Sequence, residues 1–150
     1  MWLRHRVQPT VVCALRVPVD KINGSAEEAL AAAERGTWWR DGEARPMDAL
    51  LSWFDNAIVI VGYNCLSFDF PVMQKFYERG SVGERRYLCH RAKTLDLFTR
   101  VRDVTGRWFK LDALLKASGL STKTGSGADA IGMWQRGERE ELASYCLADV

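Results

Sequence analysis

No apolar run in this 150-residue chain approaches the roughly 20 residues needed to cross a bilayer. The opening Met1-Trp2-Leu3-Arg4-His5-Arg6 also lacks the apolar stretch of a secretory signal. These two absences lead to the expectation of a cytoplasmic chain with no membrane partner. Cys-x-x-Cys pairs are absent too: Cys13, Cys65, Cys89 and Cys146 lie far apart. That scatter argues against a zinc site or a disulfide framework and predicts reduced, partly buried thiols. A phosphate-binding P-loop is excluded by order, because Lys123 and Thr124 precede Gly125-Ser126-Gly127 instead of following the glycines. The segment reads as a flexible connector. A formal net charge of +2 is too small to name a partner.

What is present describes an ordinary globular chain, 47% hydrophobic and 27% charged, of a size that fits one domain over residues 1–150. Thr10 to Val17 is a short Val-rich run that predicts a buried strand. Ser25-Ala26-Glu27-Glu28 forms a capping box and should start a helix that runs through the Ala-rich stretch to Gly36. Thr37 to Gly42 suggests a short edge strand or turn. Pro46 suits the first turn of a helix carrying Leu50, Leu51, Trp53 and Phe54, handing over near Asn56 to a buried strand beginning at Ala57. Beyond it the chain reads as mostly helical, with Gly80, Gly106 and Gly119 each following a segment of helical apolar spacing. Trp53 with Leu50, and Trp134 with Ile131, are expected in the core.

Two segments carry the chemistry. The first, Val61 to Pro71, delivers Asn64, Phe68 and Asp69 where a strand gives way to a helix, a place where loops of an α/β sheet gather ligands. The second spaces Tyr145 and Asp149 four residues apart, so that on a helix both would address one point. Asp149 is a hard oxygen ligand suited to Mg2+ or Mn2+, and the Tyr145 hydroxyl can hold a water. Two-metal phosphodiester hydrolysis needs converging carboxylates, of which Asp69 and Asp149 supply two. The plainer reading makes Asp69 a helix-start residue, and Tyr145 and Asp149 surface groups on a terminal helix.

Taken in order, these residues resemble the DEDD superfamily of 3′–5′ exonucleases, in the branch with a Tyr in its third motif that includes family-B DNA polymerase exonuclease domains. Asn64, Phe68, Asp69 and Pro71 match the second motif, and Tyr145-Cys146-x-x-Asp149-Val150 matches the third. Lys93 to Leu97, Lys110 to Leu120 and Lys123 to Gly127 resemble the segments between. The resemblance, over roughly residues 57–150, implies an RNase H-like α/β fold with a central mixed sheet flanked by helices. It implies metal binding by Asp69 and Asp149 in a two-metal site for Mg2+ or Mn2+, water orientation by Tyr145, and terminal-nucleotide contacts from Asn64 and Phe68. The Asp-x-Glu of the family's first strand has no counterpart. The chain therefore reads as a domain trimmed at both ends, with its first strand missing or supplied by a longer product or a partner.

Two functions from different classes follow. One is a metal-dependent 3′–5′ exonuclease acting on single-stranded nucleic acid, with DNA favoured, and feeble or inactive without its first motif. The other is a non-catalytic nucleic-acid-binding or scaffold domain that uses the basic segment from Arg79 to Lys110. That segment has nine Lys or Arg against Glu84, Asp96 and Asp103, a balance of +6. A solvated surface explains the same charges, and fortuitous motif matches in an unrelated α/β protein form the third reading.

Overall fold

The computed structural model describes residues 9–40, 47–120, 127–148 and 150. In their described parts, residues 51–120 form one compact unit, and residues 10–50 with 127–150 form another.

In the second of these, β1 (Val11–Arg16) pairs antiparallel with β2 (Glu34–Trp39), from Val11 opposite Trp39 to Arg16 opposite Glu34. The excursion between them holds a short 3-10 turn (Val19–Lys21) and α1 (Ala26–Ala31). The capping box forms as expected: the Glu28 amide donates to Ser25 Oγ at 3.2 Å, and the Ser25 amide donates to Glu28 Oε2 at 3.1 Å. The helix stops at Ala31, short of Gly36. A six-residue helix has little intrinsic stability, whereas Glu34–Trp39 gains a full ladder against β1, so tertiary pairing overrides helical propensity. Gly36 sits within that strand, and the Trp38 indole lies over it where a Cβ would stand. β1 itself is half-buried rather than buried. The unit is completed by α7 (Gly127–Arg136) and α8 (Arg139–Leu147), with α8 packed on both α7 and β1.

α2 (Asp48–Asn56) leads into the other unit and ends where expected, with the Asn56 side-chain amide donating to the Ser52 carbonyl at 2.8 Å. Pro46, assigned to the first turn of this helix, lies outside the described residues. β3 (Ile60–Gly62) pairs parallel with β4 (Thr94–Asp96). A crossover of α3 (Asp69–Met73), a 3-10 turn (Gln74–Phe76) and α4 (Ser81–Ala92) connects them, as a parallel pair requires. α5 (Leu97–Thr105) and α6 (Leu111–Ala117) follow. Leu51, Phe70, Val72, Met73 and Tyr77 are buried here, with Phe54, Phe70, Tyr77 and Tyr87 in ring contact through a chain of tilted and edge-to-face pairs.

This architecture overturns the expectation of an RNase H-like central mixed sheet, and with it the identification of the chain as a DEDD-type nuclease domain. Of the described residues, 56% are helical and only 14% are in strands. Those strands form two separate two-stranded sheets. The reason is visible in the strand between Ala57 and Val61, which shrinks to three residues and leaves Ile58, Val59 and Val61 exposed. A sheet centre needs strands covered on both faces, and β3 is not covered. Ile131, expected in the core beside Trp134, is exposed as well. No described helix is long and apolar enough to cross a membrane.

Candidate functional site

Asp96 organises the loop that carries three of the candidate residues. It closes β4 and caps α5, and it is almost fully buried, at 5% exposure. Its Oδ1 accepts from the Asn64 amide at 2.8 Å and from the Phe98 amide at 3.1 Å, and its Oδ2 accepts from the Leu66 amide at 2.9 Å. The chain leaving β3 is thereby wound around one carboxylate. Asn64 takes the left-handed conformation, φ 60°, that this winding demands and that Asn tolerates better than most side chains. Its carbonyl then accepts from the Phe68 amide, and the Cys65 carbonyl accepts from the Phe70 amide, which starts α3. The Arg91 guanidinium fastens the same loop through the Leu66 carbonyl at 2.8 Å.

The loop therefore brings Asn64, Phe68 and Asp69 together, but as parts of a helix-starting turn. Phe68 projects into solvent at 51% exposure. Asp69 is the first residue of α3, where a carboxylate complements the helix dipole. Crowding around its carboxyl pushes its pKa up to about 6, with the negative charge of Asp96 adding to the rise. The residue as a whole keeps solvent access, and water screens part of that effect. Tyr145 lies in the last turn of α8, in the other unit. That helix ends at Leu147, and Asp149 lies outside the described residues, as does the connector from Lys123 to Ser126.

Of the two expected metal ligands, Asp69 lies in this loop and Asp149 outside the described residues. The carboxylate beside Asp69 in the loop, Asp96, has both oxygens engaged by backbone amides. Among the described residues no group of three or more His, Cys, Asp or Glu could hold a metal ion.

Two arrangements escaped the sequence reading. In the first, Asp55 Oδ1 accepts from His90 Nε2 at 2.8 Å, and His90 Nδ1 meets the Tyr77 hydroxyl at 2.9 Å. Arg86 holds Asp55 through both carboxylate oxygens. His90 and Tyr77 are buried, at 1% and 5% exposure, while Asp55 reaches the surface. Burial holds the His90 pKa below its ordinary value despite the nearby Asp55, so the imidazole is neutral. Residues 55, 77 and 90 share no periodicity, and nothing in the sequence signals their meeting.

The second arrangement divides the basic segment into structural and available charge. Arg86 is bound to Asp55, Arg91 reaches the Leu66 carbonyl, and Lys93 Nζ donates to the Asp55 and Ala57 carbonyls at 3.0 and 2.8 Å. Beyond β4, Arg100, Arg107 and Lys110 face water, while Arg102 is half-buried and donates through Nε to Asp103 Oδ1 at 2.9 Å. From Leu97 to Lys110 the chain has Arg100, Arg102, Arg107 and Lys110 against Asp103 alone, four against one, a balance of +3. Aromatic rings lie among them. Trp108 stacks at a tilt on Phe98 with centroids 4.5 Å apart, and the Arg102 guanidinium sits 4.7 Å from the Trp108 ring centroid. The Tyr63 hydroxyl donates to the Phe109 carbonyl at 2.7 Å and pins the segment after α5, while Tyr63 meets Phe98 edge to face. Trp108 and Phe109 remain 57% and 37% exposed. The sequence expectation named Trp53 and Trp134 as core and left Trp108 unassigned; the cue available was Arg107-Trp108-Phe109-Lys110, two rings bracketed by cations directly after the helix-ending Gly106.

No protein-family model, curated protein or solved structure matches this chain.

Proposed function

We propose that the chain is a non-catalytic nucleic-acid-binding domain that receives single-stranded nucleic acid, DNA favoured, on the face formed by α5 and residues 107–110. The observation that carries this reading is the exposed Trp108, braced from below by Phe98 and flanked by Arg102, Arg107 and Lys110. A large apolar ring costs free energy when left in water, and a pre-positioned indole offers a stacking platform for a base. The surrounding cations match a phosphate backbone, each neutralised phosphate adding to a salt-dependent affinity. Binding of this kind needs no metal and no convergence of carboxylates.

The test is fluorescence anisotropy of an end-labelled oligothymidylate titrated with the full chain at low salt. Trp108→Ala should weaken binding by about 5- to 150-fold, the loss of one stacked base at ~1–3 kcal/mol. Arg107→Ala should flatten the salt dependence by about 0.7 in log–log slope. Binding that neither change alters, or no binding at all, refutes the proposed face. Mn2+-dependent shortening of the labelled strand from its 3′ end would refute the non-catalytic part of the reading.

A further inference from the structure

Cys13 lies on β1 opposite Thr37 of β2, its Sγ 3.6 Å from Thr37 Oγ1. The same Sγ is 3.9 Å from the Ala143 carbonyl of α8. Cys146 follows Ala143 by three residues on that helix, a spacing that puts both on one face. Cys13 Sγ therefore lies against the stretch of α8 that carries Cys146, and both thiols are half-buried. They come from the two separate stretches, residues 10–50 and 127–150, from which this unit is built.

We propose that Cys13 and Cys146 form a reversible oxidation site, in which a peroxide converts the thiol pair to a disulfide joining β1 to α8. The Cys13 thiolate attacks a peroxide oxygen, the O–O bond breaks, and hydroxide leaves to be protonated to water, giving a Cys13 sulfenic acid. Cys146 gives up its proton and attacks that sulfur. The S–O bond breaks, a second water leaves, and the S–S bond forms. Two thiols supply the two electrons that reduce one hydrogen peroxide to two waters. The local chemistry favours Cys13 as the attacking group: hydrogen bonds from Cys146 and then Thr37 outweigh desolvation and bring its pKa down to about 7. A substantial thiolate fraction is therefore present at neutral pH. Cys65 is the opposite case, buried and pushed up to about 12 by desolvation and by the charges of Asp96 and Asp69.

Treating the full chain with one equivalent of hydrogen peroxide, alkylating it and measuring its intact mass tests the site. The expected result is a loss of two hydrogens, a fall from four alkylated cysteines to two, a Cys13–Cys146 linked peptide in a non-reducing digest, and full reversal by dithiothreitol. In Cys146→Ser the reaction should stop at the Cys13 sulfenic acid and be trapped there by dimedone, while Cys13→Ser should give no dimedone adduct at Cys146. A link through Cys65 or Cys89, direct passage to sulfinic acid, or four alkylated cysteines after treatment of the unmutated chain would each overturn the proposal.

Discussion

Replacing Asp96 with Asn tests whether the loop from Asn64 to Asp69 is wound on a single carboxylate. Asn keeps the shape and removes the charge. Asp96 accepts three backbone amides, two on Oδ1 and one on Oδ2, at 5% exposure. In Asp96→Asn the better orientation leaves the carbonyl oxygen on the Asn64 and Phe98 amides and turns the new NH2 group toward the Leu66 N–H. Donor then faces donor. One charge-assisted hydrogen bond disappears, at about 1.5–3 kcal/mol, and a buried amide is left without an acceptor. The two surviving bonds lose their ionic component as well. A total near 3 kcal/mol is a large part of a typical folding stability of about 5–15 kcal/mol. With a urea slope of about 2 kcal/mol/M, the unfolding midpoint should fall by ~1.5 M.

Urea titration followed by far-UV circular dichroism reads that shift, and native-state hydrogen exchange locates it. The Leu66 amide should exchange on the order of 100-fold faster in the variant, the factor that corresponds to about 3 kcal/mol if its opening follows the loop. A destabilisation below ~0.5 kcal/mol, in the range of ordinary surface substitutions, would refute the reasoning. So would an unchanged Leu66 amide beside a destabilised remainder.

Asp69→Asn, in the same loop, should behave in the opposite way. A carboxyl whose folded pKa lies above its unfolded value binds more protons when folded, so its ionisation weakens the fold as pH rises through the window from about 4 to about 6. The variant should match or exceed the parent at pH 7, with the difference vanishing in acid; a clear loss at pH 7 in paired urea titrations contradicts this. His90 carries the linkage of a depressed base: the unfolded chain takes up the proton first, so stability is full above an unfolded pKa near ~6.5 and falls as pH drops below it. The slope should not exceed about 1.4 kcal/mol per pH unit for this one proton, and His90→Phe should flatten it whatever its cost in stability; an unflattened slope assigns the dependence elsewhere. In Gly83→Ala the new Cβ would stand 1.7 Å from the Glu78 carbonyl oxygen. Because that obstacle is backbone, α4 must shift, and calorimetry should record a loss of about 2–4 kcal/mol; a neutral effect would refute a close approach of α4 to Glu78.

Features fixed by neighbours a few residues away could be read from the sequence. The Ser25–Glu28 capping box, the end of α2 at Asn56 and the helical character of the second half all depend on local hydrogen bonds and spacing. Gly106 and Gly119 adopt the left-handed conformation that ends a helix, with φ of 70° and 71°. The errors begin where distant segments decide. Gly36 looked like a helix stop and became part of β2, because β1 offered a ladder to Glu34–Trp39 that no local rule contains. The nine cations of the basic segment looked equivalent. Only the fold shows that Arg86, Arg91 and Lys93 are tied to groups 25 to 38 residues away, and that Arg100, Arg107 and Lys110 face solvent.

The misread nuclease motif has the same origin. The pattern Asn64-x-x-x-Phe68-Asp69 encodes a local device: a residue able to turn left-handed, a carbonyl that recaptures the chain four residues on, and an acidic residue in the first turn of α3. Any fold that must pass from a short strand to a helix can use that device, with or without chemistry at the Asp. What would make it a nuclease site is convergence with carboxylates from other strands, and convergence is a tertiary property that spacing along the chain does not carry. Among the described residues, Asp96 reaches the loop with both oxygens committed to the backbone. Asp69 stands at the start of α3, and the less conspicuous Asp96, 27 positions later, holds the loop in place.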